Sequence, residues 1–532
     1  MCGIWGYISR IQMNDELFFK ISHRGPDEYV LKKFKINDLQ ICLGFHRLSI
    51  IDINNGMQPF IYENNGRKIY LLCNGEIYNY KNIVYDHKLD TTSDCHVILD
   101  LYVKYGIYNT INKLDGEFAF VIIDIDKNGI SIYLARDRFG IRPLFYSFKP
   151  NDYIEFSSEL KGLQNPGSQI EPRKIYESNN IEFLNSSTYF TLNRGYKFID
   201  DEYIIYENIR NKLIKSVENR LETERPLGCL LSGGLDSSLI AGIASMLLQK
   251  EGKVLTTFSI GMKNSPDLYY GKMVADYIKS NHHEIIIPEE EWINNIENVI
   301  TQIETFDITT IRASTGQYLL AKWISENTDI KVLLNGDGSD EICSGYLYFF
   351  NCPTPYDSHL ENIQLLNNIH YYDVLRVDRG ISAHGLEARV PFLDHAFVTY
   401  YLSIEPSLRI PIKNKRIEKY LLRKSFEKLN IIPNEVLWRQ KEAFSDGVST
   451  INKSWYQIIE ENVDNKNIDT SNLKNFTINP TSKEALYYQF IFNNNYPNCE
   501  NIIGTNKYWM PKWSGENNNP SARVLNVYKN DN

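Results

Sequence analysis

Residues 226–238 read PLGCLLSGGLDSS, and this stretch decides the fold of the larger part of the chain. Leu227, Cys229, Leu230 and Leu231 make a short apolar run of the kind that forms a buried parallel strand, and 239–250 has the apolar spacing of a helix. Ser232, Gly233 and Gly234 fill the turn between them. Glycines there let backbone N–H groups approach an anion, while the Ser hydroxyls and the start of the helix add donors and a positive dipole end. The turn reads as a phosphate cradle. It is not of the Walker type, because no Gly-Lys-Ser/Thr follows and Asp236 stands in the turn instead. A carboxylate beside a polyphosphate calls for a bridging Mg2+.

Outward from this loop, apolar runs at 254–261, 283–287 and 331–334 alternate with helical spacing at 273–280 and 319–325, and a helix at 203–221 leads in. Such alternation predicts a doubly wound parallel sheet, in which ligands bind at the carboxyl ends of the strands. A second polar loop follows the strand at 331–334: Asn335-Gly336-Asp337-Gly338-Ser339-Asp340-Glu341. Read alone it is a polar turn with a helix cap. Read beside the first loop, it gives Asp340 and Asp236 to one Mg2+ on pyrophosphate oxygens. The SGGLDSS pattern resembles the pyrophosphate loop of the ATP pyrophosphatases, which cleave ATP to AMP and pyrophosphate.

A chain of 532 residues with 43% apolar content suggests two or more domains. Its formal charge of -9 argues against a nucleic-acid partner. Eight cysteines are scattered without a CxxC pair or a metal-like cluster, which points to a reducing compartment rather than a disulfide framework or a zinc site. No run is long enough to span a bilayer, and MCGIWGYISR lacks the regions of a signal peptide. The expectation is a cytoplasmic protein with no membrane partner.

At the other end of the chain, Met1-Cys2-Gly3-Ile4 puts a thiol where methionine removal would make Cys2 the first residue. A free α-amine and a thiol then sit on one residue, base beside nucleophile. Short strands follow at 4–8, 40–45, 68–73, 118–124, 130–135, 144–148 and 153–157, with one helix at 95–105. Between them lie polar clusters that strands do not require: 23–27 (HRGPD), 46–50 (HRLSI), 74–79 (NGEIYN), Ser93-Asp94, 115–118 (DGEF) and 136–140 (RDRFG). Together with Cys2 this set resembles the glutaminase domain of the class II, N-terminal-nucleophile glutamine amidotransferases. The resemblance implies a four-layer α-β-β-α sandwich over residues 2–190. It also implies that Cys2 attacks the glutamine amide and that Asn74 and the Gly75 N–H form the oxyanion hole. Glutamine would be bound by Arg47, Leu48, Ser49, Ile50, Ile51, Asn74, Gly75, Glu76 and Asp94, with Arg47 on its carboxylate and Glu76 and Asp94 on its ammonium. Residues 24–27 would shape the pocket.

Residues 164–187 lack periodicity and suggest a boundary in or soon after them. Farther on, 303–315 (IETFDITTIRAST), 345–349, 384–394 (HGLEARVPFLD) and 438–447 (WRQKEAFSDG) carry charge amid apolar surroundings. Read in order with Cys2 and the two loops, these segments resemble the glutamine-dependent asparagine synthetases of the B type over nearly all of residues 2–460. The resemblance implies an ATP pyrophosphatase domain at 200–460 and the substrates glutamine, aspartate and ATP. Aspartate would be activated as β-aspartyl-AMP and then aminated by ammonia carried through an internal channel. Leu231, Ser232, Gly233, Gly234, Asp236, Ser237, Ile260, Asn335 and Gly336 would bind ATP, with Asp337 and Lys441 in the chemistry. Arg376, Glu341, Glu387 and Arg389 would frame aspartate, and a homodimer is allowed. The family loop reads SGEGSDE, so Asn335 and Asp337 depart from it, as His96 and His384 depart nearby. Residues 461–532 are Asn-rich and match little. Tyr508, Trp509 and Trp513 suggest docking on the body before a disordered end near Gly515. Two rival readings stay open: a related ligase that amidates another carboxylate, and a degenerate binding protein of the same fold.

Overall fold

The computed structural model describes residues 1–197, 201–450, 453–468, 478–499, 508–515 and 520–521. It divides into two units. One comprises Met1–Thr191, Thr223–Arg225 and Ser382–Glu387, and the other comprises Leu192–Glu222, Pro226–Ile381 and Ala388–Asn532. Among the described residues no helix is long and apolar enough to cross a membrane.

The first unit faces two six-stranded antiparallel sheets against each other. In one the order is Ser168–Gln169, Phe145–Lys149, Tyr153–Ser157, Gly3–Ser9, Leu39–Arg47, Glu28–Ile36. In the other it is Asn185–Thr188, Lys174–Asn179, Gly129–Arg136, Gly116–Asp126, Arg67–Ile77, Phe60–Asn64. Side-chain parity assigns the layers. Ile4, Ile8, Ile41 and Leu43 of the first sheet meet Tyr70, Leu72, Val121 and Ile123 of the second in the central layer. Ile69, Leu71 and Cys73 point the opposite way, against helices Tyr80–His87 and Val97–Lys113. On the outer face of the first sheet, Trp5, Tyr7 and Cys42 pack on Phe18 and Ile21 of a 3-10 helix, Asp15–Arg24. The arrangement is the expected four layers, with one outer layer reduced to 3-10 turns.

Several strands escape sequence reading. Glu28–Ile36 is mostly half-buried or exposed at the sheet edge, so its lysines hide the alternation. Lys174–Asn179 and Asn185–Thr188 pair with each other within the stretch that reads as aperiodic. The expected helix at 95–105 runs on to Lys113, interrupted at Gly106, whose φ is 74°.

In the second unit four strands pair in parallel in the order Asn281–Ile286, Thr256–Gly261, Leu227–Leu230, Val332–Leu334, and the strand Glu387–Arg389, of which Ala388 and Arg389 belong to this unit, lies at the edge beside Val332–Leu334. The chain starts near the centre, winds outward through two strands, and then crosses back to Val332–Leu334, which pairs with Leu227–Leu230 on its other side. That reversal is a topological switch point, where the loops after neighbouring strands diverge and leave a crevice. Both polar loops emerge there. The helix expected at 319–325 is the last part of Ile308–Asn327. Its β-branched first turns conceal it, but the Asp307 carboxylate caps it by accepting from the Thr310 N–H at 2.9 Å. The expected disordered end lies, beyond Gly515, mostly outside the described residues.

Candidate functional site

In the first unit the site begins with the pairing of Gly3 and His46 at the end of two central strands, which sets Cys2 beside Arg47 and Leu48. The Cys2 thiol donates to the Leu48 carbonyl at 3.6 Å. Arg24, fully buried, donates from Nε to the Cys2 carbonyl at 3.0 Å and from its guanidinium to Glu159 at 2.8 Å, so the nucleophile's backbone is clamped. Asn74 and Glu76 share the parity of Tyr70 and Leu72 and therefore point into the layer where Cys2 packs. A one-residue register slip would turn both toward the helices. Among the described residues neither Asn74 Nδ2 nor Oδ1 has a hydrogen-bond partner, and the residue is fully buried. Leaving such an amide unsatisfied costs about 1–3 kcal/mol per group, a cost that a bound carbonyl can offset.

Gly75 has φ +151°, and a Cβ there would lie 2.1 Å from the Glu117 carbonyl of the neighbouring strand. Only glycine fits. Asp94 accepts from the Ile77 N–H at 2.8 Å, and burial pushes its carboxyl up to about 6 against the pull of that donor. Burial likewise pushes the Cys2 thiol up to about 11, despite the nearby terminal amine of Met1. Arg47 donates to the Asp52 carbonyl at 2.7 Å. The Ser49 N–H donates to Asp27 at 2.8 Å. Leu48 and Ile50 are buried, and Ile51 is half-buried. Glu387 belongs to this unit and acts on the Met1 amine and on Cys2.

In the second unit a cavity of about 190 Å³ opens at the switch point. Leu231, Ser232, Gly234, Asp236, Ser237, Ile260, Asn335, Gly336, Asp337, Asp340 and Lys441 all line it. Gly233 does not. Its φ is +71°, a Cβ there would sit 2.4 Å from the backbone at Tyr270 and Gly271, and its carbonyl accepts from Arg439 at 3.2 Å. Ser232 and Ser237 hydroxyls lie 3.0 Å apart across the turn. A Cβ on Gly336 would come within 2.7 Å of the Ser237 nitrogen, so the second loop presses directly on the first.

Sequence reading missed the residue that ties these loops together. Lys419 Nζ lies 2.6 Å from Asp236 and 2.6 Å from Asp340, and its side chain is 1% exposed. Lys441 reaches the other oxygen of Asp340 at 2.5 Å. Burial alone would raise the Asp340 carboxyl, but the two ammonium groups hold it well below the usual range. Burial would lower the Lys419 ammonium, and Asp236 and Asp340 raise it instead. Lys419 also has φ +57°, a conformation costing a non-glycine residue of order 1 kcal/mol that tends to persist at functional sites. The Lys441 N–H is in turn fixed by Glu418 at 2.8 Å.

At the far side of the cavity Asp337 is bonded by Arg376 and, at 3.3 Å, by Gln317. Burial raises its carboxyl while Arg376 opposes the rise. Glu341 accepts from the Tyr346 hydroxyl. Arg389 stands away from the cavity, donating to the carbonyls of Arg220 at 2.9 Å and Glu222 at 2.6 Å.

Comparison with known proteins matches residues 1–210 to the glutamine amidotransferase domain family and residues 208–364 and 354–517 to the asparagine synthase family. The glutamine-hydrolysing asparagine synthetase of Bos taurus is 41% identical over 567 residues, covering 99% of this chain and 99% of its own. Those of Homo sapiens and Gallus gallus are each 41% identical, over 569 and 575 residues, with the same coverage. The match extends well beyond residue 460, so the tail is part of the likeness rather than an unmatched appendage.

Proposed function

The chain belongs to the family of glutamine-hydrolysing asparagine synthetases, and from that premise we propose that it makes asparagine from aspartate, ATP and glutamine-derived ammonia, with the chemistry divided between the two sites described. At residues 2–190, Cys2 is the nucleophile once Met1 is removed. Its amine takes the thiol proton and delivers it to the departing ammonia, and water then hydrolyses the glutamyl thioester. The unpartnered Asn74 amide, with the Gly75 N–H, supports an oxyanion hole. At residues 200–460, the aspartate side-chain carboxylate attacks the α-phosphorus and displaces pyrophosphate. Ammonia then attacks the acyl carbon and displaces AMP.

Asp236 and Asp340 meet on one lysine nitrogen, so their oxygens are close enough to share a small cation. Asp236 Oδ1 is buried and has no hydrogen-bond partner among the described residues. Among the described residues no cluster of three or more His, Cys, Asp or Glu is arranged to hold a metal. Two carboxylates plus substrate phosphates suit Mg2+. These two residues would hold it, and when bound it neutralises phosphate charge. Lys419 and Lys441 supply the chain's own positive charge at the same place. Eight free cysteines support a reducing, cytoplasmic setting.

The convergence of Asp236 and Asp340 on Lys419 beside the 232–237 loop is the observation that carries this reading. With ATP, Mg2+ and aspartate, either glutamine or ammonium is expected to yield asparagine, AMP and pyrophosphate in equal amounts. Aspartate-independent AMP, or none, would overturn it.

Two further results are expected. Asp94 must be ionised to hold the glutamine ammonium, so the KM for glutamine rises by roughly tenfold per pH unit below about pH 6. In Asp94→Asn that limb is flat and KM is high throughout. Asp337 is one methylene shorter than the family's glutamate and is expected to slow the adenylate chemistry. Asp337→Glu should therefore raise the turnover of the ammonium-dependent reaction, and an equal or lower rate would count against the argument.

A further inference from the structure

The C-terminal segment at 508–515, together with 520–521, is anchored to the second unit at several points. The Trp509 N–H donates to Asp307 at 2.9 Å, and the other oxygen of Asp307 caps the helix Ile308–Asn327. Tyr508 is buried against Phe306, with ring centroids 6.0 Å apart. Trp513 packs on Tyr348 and Phe349, each at 6.0 Å. Lys512 reaches Glu361 at 2.9 Å, and Glu361 also accepts from the Tyr348 hydroxyl at 3.0 Å. The Ser521 hydroxyl donates to Asp446 at 3.1 Å.

These anchors hold one side chain in the synthetase cavity. Trp509 lines it, and it also lines a neighbouring cavity of about 70 Å³ whose far wall includes Pro511, Pro520 and Ser521 of the same tail. Trp509 and Tyr346 belong to the wall common to both. Their rings lie 5.5 Å apart at 52°, and the Tyr346 hydroxyl is the one that donates to Glu341. The nucleotide end of the cavity is marked by Leu231, Ile260 and the serine loop. Trp509 instead accompanies Glu341, Tyr346, Asp373 and Arg376, the charged end suited to an amino acid.

We propose that Trp509 is a positioning residue for the amino-acid subsite: the C-terminal segment inserts its indole against Tyr346 and so fixes the hydroxyl that orients Glu341 toward the second substrate. The inference rests on the asparagine synthetase reading above and adds to it that the end of the chain completes the site. An aromatic plane removed from the shared wall joins the two cavities and leaves Tyr346 loose, and misplacement by about 1 Å at such a group is enough to cost up to roughly 100-fold.

The test compares Trp509→Ala, Trp509→Phe and Tyr346→Phe in the ammonium-dependent reaction, with glutaminase turnover of the same preparations as the check on folding. The expected result is an aspartate KM raised by about 10- to 100-fold in Trp509→Ala and Tyr346→Phe, with the ATP KM within about twofold and glutaminase turnover unchanged. Trp509→Phe, which keeps an aromatic ring against Tyr346, recovers most of the aspartate affinity. Equal increases for ATP and aspartate, no increase in Trp509→Ala, or no recovery in Trp509→Phe would each overturn the proposal. Native protein that forms no aspartate-dependent AMP would instead overturn the functional reading on which it stands.

Discussion

Cys2→Ala is expected to abolish asparagine formation from glutamine, by at least roughly 1,000-fold, while leaving the ammonium-supported reaction within about twofold of native. The prediction follows from where the thiol sits and what surrounds it. Arg24 fixes the Cys2 carbonyl and the thiol rests on the Leu48 carbonyl, while the Asn74 amide facing the same layer has no hydrogen-bond partner among the described residues. Alanine removes the sulfur without disturbing those anchors, because none but the weak contact to Leu48 uses it. Burial holds the thiol near 11 in the chain as encoded, so attack requires a base beside it, the part that the proposed mechanism gives to the α-amine of a processed Cys2. Retention of Met1 should therefore silence the glutaminase as thoroughly as the alanine. Parallel measurement of glutamate and asparagine, with mass spectrometry of the N-terminus, checks both statements. A Cys2→Ala protein that still hydrolyses glutamine would remove the nucleophile from this account.

The second large effect is expected at Lys419. In Lys419→Met the carboxylates of Asp236 and Asp340 lose their shared ammonium, Lys441 still pairs with Asp340, and Asp236 loses the ion pair that Lys419 gave it. Removing one partner of a buried ion pair costs about 3–5 kcal/mol, because the remaining charge is left uncompensated. Aspartate-dependent AMP formation should fall by about 100- to 1,000-fold, the scale of losing a preorganised charge at a reacting phosphate. The pH dependence is specific. Lys419 is raised above its ordinary value by its partners, so its contribution is complete below the ordinary lysine range and is lost only as pH rises through the raised value. Asp340 is depressed, so its contribution is complete above the ordinary carboxylate range and is lost only as pH falls through the depressed value. Between about pH 5 and 9 neither group titrates, and the gap in Tm between native and variant should stay constant. A gap that closes within that window would show that Lys419 is paired differently.

Much of both sites is legible in one dimension because their chemistry is concentrated in turns. A glycine-rich loop after an apolar strand needs its residues adjacent, and 232–237 and 335–341 meet that need locally. The clusters around 47–51 and 74–76 are likewise short segments at strand ends, and Asp94 stands in the turn that opens the helix Val97–Lys113. What stays illegible has no local signature. Lys419 reads as one charge among several in 415–424, and its meaning comes from Asp236, 183 positions away. Arg24 can be placed in a pocket from its neighbours, but its grip on the Cys2 carbonyl exists only because the 3-10 helix packs on the first sheet. Trp509 reads as a docking aromatic, and nothing nearby says that it docks into a cavity.

The sequence by itself determined the winding of the parallel sheet and most of the polar groups that each loop supplies, since hydrophobic period and turn composition are encoded within a few residues, while the two chemistries were read from the resemblance of its motifs to known families. Tertiary structure alone decided which ammonium groups pair with Asp236 and Asp340, which buried amide finds no hydrogen-bond partner among the described residues, and that Trp509 lines the cavity. Those are properties of contacts between segments far apart in sequence, where burial sets the energy of a charge or a donor, and burial has no value until the chain is folded.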